Sequence, residues 1–336
     1  MRRLVSQLSI CAIGVAALSA STPAQMLGER SESMGGAGLA YGLNYRLNPA
    51  HLSLMGGGYR LPVPLLEYRA SGKDIGQVTS YLMMLRRSGF DSNRLNAMAH
   101  GGQLARVDDF GGSIGLVYGS ASFTYLARGY QELLPSSQGL DVYGVAFEAY
   151  QFSFGQELPV KGGRFAVGTS ARMIHASYDH QAMSASGIQR GIDAGPSSQS
   201  GFGLDLGMTF KPETRRDTTY ALVIRNLINP GIAFDRQMPD GSVQRKGVEP
   251  FRMTVNTGFA TQLGDATWLA VDGLDLGNSI GRRQVAMGID QQLNRYLGLQ
   301  IGYNTRTSFT IGLSFFGIHA RLAGRSPLTV ETGIRF

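Results

Sequence analysis

His175, Asp179 and His180 are the nearest approach to a metal-binding pattern in this chain. Imidazole and carboxylate are sound ligands, but a bound zinc needs three or four of them, and no spacing supplies a third. His175 and Asp179 bracket a strand end, so the group reads as wet loop surface. Asp272 and Asp275 are close enough for acid and base work, yet their spacing puts them on opposite faces of a strand. Asp272 then belongs on the polar face and Asp275 in the following turn. A hydrolase would need a serine beside a histidine, and none of the five histidines stands in such a motif. Gly36-Ala37-Gly38 suggests a dinucleotide loop, but Tyr41 occupies the third glycine position and no strand precedes it. The chain is therefore expected to carry no catalytic residue, no metal and no cofactor, and not to be an enzyme.

The elements that hold these residues are strands. From Gly201 to Lys211, Phe202, Leu204, Leu206, Met208 and Phe210 alternate with Gly203, Asp205, Gly207, Thr209 and Lys211. That is the period of a sheet with one apolar and one polar face. Similar alternation runs through 251–263, 283–291, 296–305 and 308–316, and less regularly through 59–68, 110–119, 121–130, 141–157, 163–178, 218–228 and 266–276. Residues 328–336 close the series, with Leu328, Val330, Ile334 and Phe336 opposite Thr329, Glu331, Gly333 and Arg335. About 12 to 14 strands of about ten residues, an even number expected, fit an all-β, transmembrane antiparallel β-barrel. A β-sandwich or propeller also alternates. Here the polar faces are often Gly, Ser, Thr, Asn or Gln rather than charged, and Tyr303, Phe315 and Phe336 lie near strand ends as interfacial girdles do.

The chain is also addressed out of the cytosol. Arg2 and Arg3 precede an apolar run from Ile10 to Leu18 and the small residues of 19–24, a signal peptide over 1–24 with cleavage expected after Ala24. The sole cysteine, Cys11, falls inside it, and Ile10 does not suit a lipoprotein site. The mature chain would then have no disulfide and no thiolate chemistry. No later stretch approaches the roughly 18 apolar residues of a helical span. Glycine, at 46 of 336 residues, is about twice as frequent as usual, and charged residues make up only 16%. Alternating faces average out in this way. The net charge of +7 is scattered singly through the strands rather than gathered on one patch, so no nucleic-acid partner is expected.

One region breaks the pattern. Over 73–107 the apolar spacing becomes helical, with Ile75, Val78, Leu82 and Leu85 on one face, Gly89 as a break, and then Leu95, Met98, Leu104 and Val107. Arg86, Arg87 and Arg94 cannot face lipid unpaired, so this short helical insert belongs in the lumen or at one mouth. The expected organisation is a signal peptide at 1–24, an N-terminal hatch segment at 25–58, and a barrel at 59–336 carrying the insert at 73–107.

The segment Ser33-Met34-Gly35-Gly36-Ala37-Gly38-Leu39-Ala40-Tyr41, followed by Asn48-Pro49-Ala50-His51-Leu52, resembles the N-terminal region of the FadL, PorV and TraF-like group of outer-membrane barrels. The likeness continues in the stretch Leu269–Leu276 with Asp272 and Asp275, in the strand Leu297–Tyr303, and in the 73–107 insert, which looks most like the conjugal-transfer TraF-like branch. The matching residues are Gly35, Gly36, Gly38, Asn48, Pro49 and Ala50. They also make physical sense alone, since glycine permits close backbone packing and Asn-Pro fixes a turn. The usual aspartate-rich stretch is replaced by Tyr41–Leu47, which has no acid, and this leaves the branch open.

The resemblance implies an N-terminal lumenal hatch, the outer membrane of a Gram-negative-type bacterium and its lipids as surroundings. In FadL-type channels fatty acids pass through a lateral opening, so a passive channel for hydrophobic or small solutes is expected, with hydrophobic ligands as partners. The alternative is a non-catalytic accessory barrel of a secretion or conjugation apparatus, with envelope proteins as partners. The closing strand, with Val330, Ile334 and Phe336, resembles the signal read by the barrel-insertion machinery.

Overall fold

The computed structural model describes residues 34, 36–42, 45–56, 58–60, 65–70, 105–136, 139–184, 187–189, 197–237, 243–247, 252–278, 283–294, 297–305, 308–315, 318–323 and 326–332. The expected signal peptide, Gly35, most of the 73–107 insert, Ile334 and Phe336 lie outside them.

Among the described residues the protein is a single large antiparallel sheet of 16 strands and a separate two-stranded hairpin, Ala233–Gln237 with Val243–Gly247. Two members of the sheet, Tyr59–Arg60 and Gly187–Gln189, are short pieces attached to longer neighbours. The others are β1 (Leu65–Ala70), β2 (Ala105–Tyr118), β3 (Ala121–Ser136), β4 (Gly139–Val160), β5 (Gly163–Ser184), β6 (Ser197–Pro212) and β7 (Thr218–Ile228). They continue with β8 (Thr254–Gly264), β9 (Thr267–Leu274), β10 (Gln284–Gln292), β11 (Leu297–Asn304), β12 (Ser308–Phe315), β13 (Ile318–Ala323) and β14 (Ser326–Thr332).

Each of these pairs with the next in sequence, from β1 with β2 to β13 with β14. β14 in turn pairs with β1, Leu328 opposite Ala70 and Thr332 opposite Leu66. At one end the connections are short, as at 119–120, 161–162, 213–217 and 265–266; the long ones, 71–104, 185–196 and 229–253, all leave from the other end.

The two faces are inverted relative to a water-soluble protein. On the outer face Ile114, Leu116, Phe123, Phe152, Met173, Ile301, Ile311 and Phe315 are exposed. On the inner face Ser122, Thr124, Ser153, Ser170, Arg172, Asp205, Thr209, Asn256, Asp272, Asp290 and Gln300 are buried. The alternation in β6 is a typical case: Phe202 and Met208 look outward, Asp205 and Thr209 inward.

Two expectations need correction. Residues 105–107, assigned to the helical insert, are the first residues of β2, because Ala105 to Val107 pair with Gln131 to Leu133 of β3. The six-residue β13 was not anticipated. It is too short to show a period on its own and is specified by its neighbours, with Ile318 between Phe315 and Thr332.

Candidate functional site

The site is built by the N-terminal segment, which lies against the inner, polar face of the sheet. Its centre is Asn48-Pro49-Ala50. The Asn48 side chain folds back to accept the Ala50 N–H at 3.1 Å, and the His51 and Leu52 amides donate to the Asn48 and Pro49 carbonyls. This Asx turn starts a single helical turn, α1 (His51–Leu54), at the place where proline's missing N–H does no harm. Asn48 Nδ2 also donates to Thr209 Oγ1 at 2.8 Å and to the Met208 carbonyl at 3.1 Å, which ties the turn to β6.

The wall is shaped to receive this turn. Gly155, Gly168 and Gly207 stand in register across β4, β5 and β6, forming a trough without side chains. A Cβ on Gly168 would lie 2.5 Å from the Ala50 nitrogen. Further along, a Cβ on Gly258 of β8 would meet the Leu39 side chain at 2.8 Å. Backbone-to-backbone approach of this kind is open only to glycine.

Beyond the trough the segment is held by charged groups from successive strands. Both the Gly38 and Leu39 amides donate to Asp272 Oδ2 of β9, at 2.6 and 2.9 Å. Asp290 of β10 accepts from the Tyr41 hydroxyl on one oxygen and from Gln300 Nε2 at 2.6 Å on the other. The Tyr41 ring meets Trp268 edge-on, centroids 5.8 Å apart. Arg225 of β7 donates to the Leu47 carbonyl, just ahead of Asn48.

Arg225 belongs to a buried polar cluster. Its guanidinium and that of Arg172 both reach Asp205, at 3.3 and 2.8 Å, and Arg172 also donates to Asn226 Oδ1 at 2.7 Å. Asn226 has φ 50° at a break in the β6–β7 register, where its amide turns from the ladder to Asp205 Oδ1 at 2.8 Å. Asparagine tolerates that left-handed conformation better than other non-glycine residues. One carboxylate thus serves two arginines and a displaced backbone amide.

Gly36, Gly38, Asn48, Pro49 and Ala50 all fall in this segment, Asn48 and Ala50 fully buried; Gly35 lies outside the described residues. Val330 is in β14, opposite Tyr68 of β1. Asp272 is buried on the inner face and Asp275 follows in the turn with φ 50°. His175 is exposed on β5, where its Nδ1 shares a 3.0 Å hydrogen bond with Ser200. Arg172, Asp205, Thr209, Arg225 and Asp290 were not singled out from the sequence. The one available signal was a charge flanked by glycines on the polar face of a strand, as at Asp205 between Gly203 and Gly207.

No family model and no curated protein matches the sequence. Solved structures do match the fold. The Ralstonia pickettii toluene transporter TbuX aligns over 93% of this chain and 100% of its own, with 13% identity and a TM-score of 0.50. The Pseudomonas putida toluene transporter TodX aligns over 95% of this chain and 98% of its own, with 13% identity and a TM-score of 0.51. A Pseudomonas aeruginosa FadL homologue also aligns, at 9% identity and a TM-score of 0.47. The first two share with this chain the all-β antiparallel fold of FadL-type barrels. The likeness to the TraF-like branch was carried by the 73–107 insert, nearly all of which lies outside the described residues.

Proposed function

We propose that the chain is a transmembrane β-barrel of a Gram-negative-type outer membrane that acts as a passive channel for hydrophobic or small solutes, with its N-terminal segment as a lumenal hatch. The observation that carries this reading is the inverted sheet. A face of exposed Phe, Ile, Leu and Met is stable against lipid and not against water, while the opposite face hydrogen-bonds to the chain's own N-terminal segment. The pairing of β14 with β1 supports closure of the sheet into a barrel, which leaves no unpaired edge in the bilayer. Short turns at one end and long connections at the other follow the periplasmic and extracellular ends of such barrels. The fold shared with two toluene transporters favours hydrophobic solutes over a docking role in secretion or conjugation.

The test is flux in liposomes containing the purified protein, with toluene, a long-chain fatty acid and a small sugar as solutes. Faster entry of toluene or of the fatty acid than in empty liposomes is expected. Rates equal to empty liposomes for all three would remove the channel reading and leave the accessory barrel.

A further inference from the structure

A second stretch of the chain turns onto the inner face of the sheet, at the end of β7. There the alternation stops: Arg225 and Asn226 are both buried, and Leu227 and Ile228 are both exposed. β7 holds two extra residues at this point, since Leu204 and Leu206 of β6 pair with Ile228 and Ile224, and Asn226 in its left-handed conformation redirects the backbone. Asn226 Nδ2 also donates to the Arg252 carbonyl at 3.2 Å, which ties together the two roots of the β7–β8 connection. The next residues, Asn229-Pro230-Gly231, form an Asx turn like that of Asn48-Pro49-Ala50. The Gly231 N–H donates to Asn229 Oδ1 at 2.8 Å.

This turn, too, is seated on glycines of β6. A Cβ on Gly201 would stand 2.7 Å from the Pro230 Cβ, and one on Gly203 3.4 Å from the Pro230 Cγ. Gly201 and Gly203 have the inward parity of Asp205 and Gly207, so Pro230 lies on the lumenal side of the wall, where it and Ile232 are buried. Gly203 and Gly207 are four residues apart, which places the two turns about 14 Å from each other along the strand. The outer face marks the level. Tyr150, Met173 and Phe202 form an exposed apolar row across β4, β5 and β6, and the next row towards the long connections is polar, Glu148, His175 and Ser200. Phe202 lies between the two glycines, so the Pro230 turn sits where the lipid-facing band ends.

A connection that merely joined two strands outside the membrane would need neither the inserted residues nor side-chain-free seats on the inner wall. We propose that residues 229–232 form a collar at the outer mouth of the lumen, narrowing the passage beyond the N-terminal segment, with Pro230 and Ile232 limiting the width of solute admitted. This rests on the channel reading and adds to it a selecting element at the opposite end from the hatch.

The test uses the full chain carrying Cys11→Ala, with Ile232→Cys as reporter and heat-modifiable mobility as the check on folding. A bulky maleimide should label position 232 slowly in the folded protein and fast after denaturation. Gly201→Val should unseat the turn and accelerate labelling at least about tenfold. Asn229→Ala, an exposed change that removes only the Asx acceptor and so spares folding, should accelerate it roughly two- to tenfold. In liposomes, without the reporter, both variants should raise the entry of mesitylene relative to the narrower toluene. Labelling of the folded protein at the denatured rate, or no acceleration by either variant, overturns the seated turn. Acceleration with an unchanged ratio of mesitylene to toluene entry overturns the collar as a selecting element. Entry no faster than into empty liposomes for both solutes, in every form of the protein, overturns the channel reading, while slow labelling relieved by Gly201→Val would still uphold the inward seat of the turn.

Discussion

Asp272 is the strongest single anchor of the N-terminal segment, and removing it should release the segment without unfolding the sheet. Two buried backbone amides, Gly38 and Leu39, donate to the same oxygen, Oδ2, while Oδ1 has no hydrogen-bond partner among the described residues. Bonds to a charged acceptor contribute about 1.5–3 kcal/mol each, so the pair contributes about 3–6 kcal/mol to the seated state. Asp272→Ala also removes a carboxylate that is fully buried and only half used, which returns several kcal/mol of desolvation. A net loss of about 2–3 kcal/mol is expected, equal to roughly a 30- to 150-fold rise in the open population. The amide of Asp272→Asn keeps one acceptor and should fall between. The assay is maleimide labelling of Ala37→Cys, buried beside this anchor, with and without the Asp272 substitutions, at denaturant concentrations where heat-modifiable mobility is unchanged. If Ala37→Cys labels no faster in the Asp272→Ala background, the two amides are not what holds the segment, and the anchoring argument fails.

Three further outcomes are expected, two from the geometry of the sheet and one from the sequence of the closing strand. Gly168→Val should expel the Asn48-Pro49-Ala50 turn, because its Cβ alone would stand 2.5 Å from the Ala50 nitrogen; a reporter at Ala50→Cys should then label near the denatured rate while the barrel stays folded, and slow labelling would show that the trough yields instead. Phe152→Arg, on the exposed outer face of β4, should destabilise insertion by about 2–4 kcal/mol if the residue sits at the bilayer midplane, read as a lower urea midpoint for the folded form in vesicles. Deleting Phe336 should leave unfolded protein in the periplasm; normal heat-modifiable mobility in outer-membrane fractions would count against its role in assembly.

What could be read from the sequence was what repeats locally. Alternation in β6 needs only the eleven or so residues that show it, and the inward Asp205 and Thr209 are legible once the apolar face is assigned to lipid. Asn48-Pro49-Ala50 is legible for the same reason, since its turn is closed by its own side chain. The failures are contacts between distant residues. Gly38 and Asp272 lie 234 positions apart, and nothing within either neighbourhood names the other. Gly155, Gly168 and Gly207 look like dispersed glycines of a glycine-rich chain, and become a trough only when the β4–β5 and β5–β6 registers align them. β13 is a strand because β12 and β14 make it one.

The same distinction bears on how the wall and the segment are coupled. The β6–β7 ladder is interrupted between Leu204 and Leu206, and the gap is filled by Asp205, which takes the Asn226 amide while binding Arg172 and Arg225. Arg225 then passes one of its own donors to the Leu47 carbonyl, one residue before the Asn48 turn. A single carboxylate therefore links the irregular place in the wall to the root of the segment. Asp205→Asn, which keeps the shape and removes the charge, should weaken both contacts of Arg172 and Arg225 at once. Labelling of a reporter at Ala50→Cys should accelerate, and combining Asp205→Asn with Arg225→Lys should add less than the sum of the two single effects, as expected for residues acting through one network. Strictly additive acceleration would mean that the wall and the segment are held independently, and the link through Asp205 would be structural coincidence.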